Sequence, residues 1–147
     1  MTTLPPDEIS AQFTTAETAR AAGRLEAAAE GYRNVLAAAP THARALNGLG
    51  LTLHGLGKPE ESVKLYIQSL RAEPDRADVL LNFGQSLRKL NRADLAVQAF
   101  RDAARLDPGA VAPLKALGQT QQSRGEMEEA VAAYRQALVL EPDHAEI

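Results

Sequence analysis

A chain of 147 residues with 45% apolar content can bury one core of ordinary size, and its apolar residues are mostly Ala and Leu, which favours helix. A net charge of −3 gives the chain as a whole no attraction to nucleic acid or anionic lipid, and the lack of Cys excludes disulfides, thiolate metal ligands and cysteine nucleophiles. The start, Met1-Thr2-Thr3-Leu4-Pro5-Pro6-Asp7, has no basic segment followed by an apolar run, and no stretch approaches ~18 uninterrupted apolar residues, so neither a secretory signal nor a membrane span is expected and the cytoplasm is the expected location.

After a tail over 1–8, the chain repeats itself every 34 residues, marked by Pro40, Pro74, Pro108 and Pro142. A fixed period of that length predicts stacked supersecondary units rather than one wound core. The first unit, 9–42, departs most from the others: Gln12, Thr15 and Ala19 stand where they have large apolar residues, which predicts a solvent-facing end helix. In the second unit, 43–76, Leu46, Leu49, Leu53 and Leu56 form one stripe of a helix, and Gly57 with Lys58-Pro59 ends it and starts another. That second helix carries Val63, Tyr66, Ile67 and Leu70 on one face and closes at Glu73-Pro74-Asp75, because Pro cannot continue a helix. Units 77–110 and 111–144 follow the same grammar. Ala145-Glu146-Ile147 is in phase with Ala43-Arg44-Ala45 and Ala77-Asp78-Val79 and reads as the start of a truncated next helix.

Each unit is therefore a first helix (A), a tight turn and an antiparallel second helix (B). At the turn stand Gly23, Gly57, Asn91 and Gly125, the residue types that tolerate left-handed backbone. Ala16, Gly50, Gly84 and Gly118 in helix A face the equally small Ala28, Ser62, Ala96 and Ala130 in helix B, which lets the two helices approach closely. One aromatic per unit, Tyr32, Tyr66, Phe100 and Tyr134, is placed to fill the wedge between consecutive units. This combination resembles the tetratricopeptide repeat family over residues 9–144, with Leu46, Leu80 and Leu114 where the family often has Trp. The resemblance implies an all-α fold, an α-solenoid of four helical hairpins forming a short right-handed superhelical arc.

Acidic residues gather at the starts of helices B (Glu26, Glu60, Glu61, Asp94, Glu126, Glu128, Glu129) and basic ones near their ends (Arg71, Arg105), complementing the helix dipole. Arg24, Lys58 and Arg92 follow the turn residue and are placed to serve the last carbonyls of helix A. His42 and His144 occupy equivalent loops three units apart and cannot share a metal, and no nucleophile elbow, HExxH or phosphate-cradling loop appears. Asp102 and Asp107 read as solvated carboxylates. No enzymatic activity, cofactor or metal is expected.

The resemblance implies that helices A line a concave face. The residues off the Leu stripe are Phe13, Glu17 and Arg20, then Arg44, Asn47, Leu51 and His54, then Asp78, Leu81, Asn82, Gln85 and Arg88, then Lys115, Gln119 and Gln122. Arg44, Asn47, Leu51, His54, Leu81, Asn82, Gln85, Arg88, Lys115 and Gln119 form the candidate site, whose amides can pair with a peptide backbone and whose cations suit an acidic partner. Leu51 and Leu81 either come together as an exposed apolar pair or pack helix A on helix A. The set by which some tetratricopeptide domains hold a chaperone's terminal carboxylate is not met. Its positions read Phe13, Glu17, Gly48, Asp78 and Asn82 from the first unit, and Asn47, Leu51, Asn82, Ala112 and Ala116 from the second.

The expected function is a non-catalytic scaffold or adaptor that binds a peptide or protein segment. The alternatives are a recruiting or regulatory module of a longer enzyme such as a transferase, and a self-assembling unit. For the last, Val131, Tyr134 and Leu138 on an open last helix are the candidate self-association residues.

Overall fold

The computed structural model describes residues 4–142, so His144 and the expected helix start at 145–147 lie outside the described residues. Eight helices and no strand are found there: α1 (Pro6–Ala21), α2 (Leu25–Ala38), α3 (Ala43–Gly55), α4 (Pro59–Ala72), α5 (Ala77–Lys89), α6 (Ala93–Leu106), α7 (Ala112–Ser123) and α8 (Met127–Leu140). The fold is all-α, of the α-solenoid class, built from hairpins α1·α2, α3·α4, α5·α6 and α7·α8. Contacts divide the chain into two compact units, Met1–Pro74 and Asp75–Ile147.

The turns are made by the backbone. Gly23, Gly57 and Gly125 have φ of 77°, 80° and 80°, and Asn91, with φ of 59°, is the one described non-glycine residue in that region. Each turn closes with the same pair of hydrogen bonds. In the first, Gly23 N–H donates to the Arg20 carbonyl at 3.0 Å and Arg24 N–H to the Ala19 carbonyl at 2.9 Å, and the pattern repeats at Gly57/Lys58, Asn91/Arg92 and Gly125/Glu126. This is the Schellman arrangement, which satisfies the carbonyls a helix end leaves open. At the positions of Arg24, Lys58 and Arg92, and likewise at Glu126, the backbone N–H makes the hydrogen bond to the helix A carbonyl.

In the first unit, α2 packs on both α1 and α3, and Ala28, Tyr32 and Val35 are fully buried. A Cβ on Gly48 of α3 would lie 2.4 Å from the Tyr32 ring, so Tyr32 does fill the wedge between consecutive hairpins. The expected solvent-facing character of α1 is corrected at Ala19, which is 7% exposed and belongs to the core with Phe13 and Ala16. The expected small-to-small contact exists between α3 and α4, where the Ser62 hydroxyl donates to the Gly50 carbonyl at 2.7 Å. A stricter demand comes from the rings. A Cβ would lie 2.5 Å from Tyr66 at Gly50, 2.4 Å from Phe100 at Gly84, and 2.7 Å from Tyr134 at Gly118. In the second unit, Phe100 is fully buried, and Val97, Ala103, Leu114 and Ala133 are buried as well.

Two glycine-to-alanine changes separate these constraints. Gly57→Ala meets no atom within 4 Å, so its cost, about 1–2 kcal/mol, is that of the left-handed backbone alone. Gly84→Ala costs about 1–3 kcal/mol by pushing the Phe100 ring. Urea denaturation should show Phe100→Leu offsetting part of the second loss and none of the first.

Candidate functional site

On the helix A side of the first unit, α1 lies beside α3, and the two are linked by the Arg44 guanidinium, 4.8 Å from the centroid of the Phe13 ring. A cation over an aromatic face is held by the ring quadrupole and keeps its outer edge open to hydrogen-bond acceptors. Phe13 itself, expected on the face, is 8% exposed and packs against Tyr32 and His42, with centroids 6.1 Å and 5.1 Å away. It is thus a platform rather than a contact residue. His42, read as a loop residue, caps α3: its Nδ1 accepts the Ala45 N–H at 3.1 Å.

Glu17 and Arg20 are mutually engaged. The Tyr32 hydroxyl donates to Glu17 Oε1 at 2.5 Å, Arg20 Nε donates to the Tyr32 oxygen at 3.0 Å, and Arg20 pairs with Glu17 at 3.0 Å. Burial first, and then the Glu17 carboxylate accepting its proton, push the Tyr32 phenol up to about 12, against the pull of Arg20. Sequence reasoning missed this network because Tyr32 stands on helix B at an apolar register. On α3, Asn47, Leu51 and His54 are half-buried.

In the second unit, α5 lies beside α7. Arg88 reaches between them, donating to Gln85 Oε1 at 3.3 Å and to Gln119 Oε1 at 3.4 Å. Both bonds are long and neutral at the acceptor, so a carboxylate offered to Arg88 would bind it with shorter, charge-assisted bonds. Leu81, Asn82 and Gln85 are half-buried, while Lys115 and Gln119 are exposed. Lys115 has a loose ion pair with Glu141 at 3.9 Å. Asp78 is held by Arg76 through bonds of 3.0 Å and 2.8 Å, and that guanidinium keeps its carboxyl below the usual carboxylate range although partial burial works the other way. Gln122 accepts the Tyr134 hydroxyl at 3.1 Å.

Of the candidate self-association residues, Val131 and Leu138 are 45% and 41% exposed and Tyr134 is half-buried. Tyr134, Ala137 and Leu138 line a recess of about 320 Å³ with Lys115 and Glu141. A second recess of about 460 Å³, which the sequence did not suggest, lies in the first unit between Leu46, Gln68, Arg71 and Glu73. Among the described residues, no group of three His, Cys, Asp or Glu side chains is placed to hold a metal, and no helix is long and apolar enough to cross a membrane.

Three tetratricopeptide repeat models match the chain, over residues 19–82, 55–111 and 114–146. A sequence comparison with curated proteins finds no match. Among solved structures, a crystal structure of MamA superposes with a TM-score of 0.88 at 19% identity over 97% of this chain and 83% of that one. MamA from Desulfovibrio magneticus RS-1 gives 0.86 at 17% identity over 92% and 76%. MamA AMB-1 gives 0.77 at 26% identity over 90% and 78%.

The Tyr32 network has a pH consequence of definite sign. A phenol whose folded value is raised stabilises the fold fully below its ordinary value of 10, and that contribution is lost as pH climbs toward about 12. Absorbance titration should lose a late tyrosine transition in Tyr32→Phe, and Glu17→Gln should move that transition to lower pH. A late transition unaffected by either change would contradict the assignment.

Proposed function

The chain belongs to the tetratricopeptide repeat family, and from that premise we propose that it is a non-catalytic adaptor whose helix A faces bind a carboxylate-bearing peptide segment of a partner protein in the cytoplasm. The observation that carries this reading is Arg88, a guanidinium spanning α5 and α7 whose described hydrogen bonds go to two amide oxygens. Gln85 and Gln119 hold it in place and can turn to a peptide backbone once a carboxylate takes over. Exposed Lys115 on α7 adds a second cation. In the first unit Arg44, raised on the Phe13 ring, offers a comparable cation on α3, with Asn47 and His54 on the same helix.

Neither unit calls for a cofactor or metal in this role. Recognition by main-chain pairing and a few placed cations suits an extended or helical segment more than a small metabolite. Leu51 and Leu81, half-buried in their respective units, would then contact apolar side chains of the bound segment. The domain divisions 9–42, 43–76, 77–110 and 111–144 are the matching proposal for how the binding surface is divided among repeats.

Selection from a displayed random peptide library tests this directly. Enriched sequences should carry Asp or Glu, and Arg88→Glu should weaken their binding by about tenfold or more in fluorescence anisotropy. Enrichment without acidic residues, or equal affinity for Arg88→Glu, would rule the reading out.

A further inference from the structure

The two units carry a guanidinium in the same register near the end of a helix A, and they treat it differently. Arg20 on α1 is bonded to the Glu17 carboxylate and to the Tyr32 oxygen. In the register of those two partners the second unit has Gln85 and Phe100, an amide and a ring without a hydroxyl. Arg88 therefore has no carboxylate among its described partners, and its Nη1 donates only to the amide oxygens of Gln85 and Gln119.

The corner beside this arginine changes in step. In the first unit Leu56 packs on the core, and a Cβ on Gly55 would meet Leu25 at 3.1 Å. That corner is apolar and filled. In the second unit the register of Leu25, Gly55 and Leu56 is occupied by Ala93, Ser123 and Arg124. Ala93 lacks the side chain with which Leu25 reaches the end of its neighbouring helix. A recess of about 340 Å³ lies there, lined by Arg88, Asn91, Ala93, Thr120, Ser123 and Arg124.

No acidic side chain lines this recess among the described residues. Arg124 pairs through Nε with Glu126 at 2.9 Å, which leaves its two Nη groups for another acceptor. The Thr120 hydroxyl donates to the Ala116 carbonyl at 2.7 Å, and that of Ser123 to the Gln119 carbonyl at 3.0 Å. The donors that remain are the two guanidiniums and the amide of Asn91, whose backbone is fixed in the left-handed turn. Two cations lining one recess repel each other, and a single carboxylate offsets only one of them. A phosphate monoester carries a charge of about −1.5 to −2 at neutral pH and three acceptor oxygens, enough for two guanidiniums and an amide.

We propose that this recess is a phosphate-monoester subsite, in which Arg88 and Arg124 hold the phosphate of a phosphorylated Ser or Thr side chain and Asn91 takes a further oxygen. That the phosphate arrives on a peptide rests on the peptide-binding reading of the α5 and α7 face, with which the recess shares Arg88. Phosphorylation of the partner then adds Arg124 to a contact that an acidic residue makes with Arg88 alone.

NMR titration of the 147-residue chain with N-acetylphosphoserine amide tests the site without a partner. Backbone signals of Asn91, Ser123 and Arg124 should move, and affinity should fall about threefold or more as pH drops below about 6, where the phosphate takes up its second proton. N-acetylglutamate amide should bind about tenfold more weakly. Arg124→Gln, at an exposed position, should cost phosphoserine about fivefold or more and glutamate less than about twofold, whereas Arg88→Gln should weaken both. Ala93→Leu, folded by circular dichroism, should lose phosphoserine binding by refilling the corner. Equal affinity for phosphoserine and glutamate, or unchanged affinity in Arg124→Gln, overturns the proposal. Acidic library peptides that bind through Arg88 while phosphoserine moves no signal overturn the phosphate site and spare the peptide reading. Phosphoserine binding with no acidic peptide selected, or inorganic phosphate binding as tightly as phosphoserine, keeps the anion site and overturns its peptide source.

Discussion

The structure depends on an aromatic ring lying directly on bare backbone. Tyr66, Phe100 and Tyr134 each approach a helix A glycine so closely that no Cβ fits between, and Tyr32 does the same to Gly48 in the following hairpin. The ring sets the distance between helices, and with it the positions of every other side chain on their inner faces. Glycine costs about 1 kcal/mol in a helix interior relative to alanine, and the dispersion and apolar burial of a complete ring more than offset that. Alanine then suffices elsewhere in the core, because at this separation a methyl group already reaches across. This explains how a chain with only six aromatics and no Trp can still close its hairpins.

Most of this was legible in the sequence because a repeat states each rule four times. Turn glycines with Asn91 in phase with them could only be read as left-handed caps, and helix limits followed from Pro and Gly. What escaped was whatever a single position cannot state by type. Ala19 looks like a surface substitution beside its larger counterparts, yet α2 packs closely enough to bury it. Phe13 looks like a groove aromatic, yet it lies under Arg44 and against His42. Repetition fixes the frame of a hairpin but not which way one irregular side chain turns.

The candidate site was legible as a set of residue types and not as a set of bonds. Arg88, Gln85 and Gln119 were all named for their chemistry, but their convergence requires α5 and α7 to be neighbours at that height. Glu17, Arg20 and Tyr32 converge for the same reason and with the opposite effect. There a carboxylate, a guanidinium and a phenol satisfy one another, so Glu17 and Arg20 are spent internally. Arg44 lies over the Phe13 ring, and Arg88 is held by the amide oxygens of Gln85 and Gln119.

The backbone closure of the hairpin turns has a consequence for how this chain can change. Because backbone N–H groups complete each cap, the turn does not depend on the side chain that follows the turn residue. Arg24, Lys58, Arg92 and Glu126 occupy that place, three of one sign and one of the other, and Glu126 pairs with Arg124 at 2.9 Å. The charge at a hairpin tip can therefore change without removing the bonds that close the turn, much as lettering can be changed on a sign without touching its post.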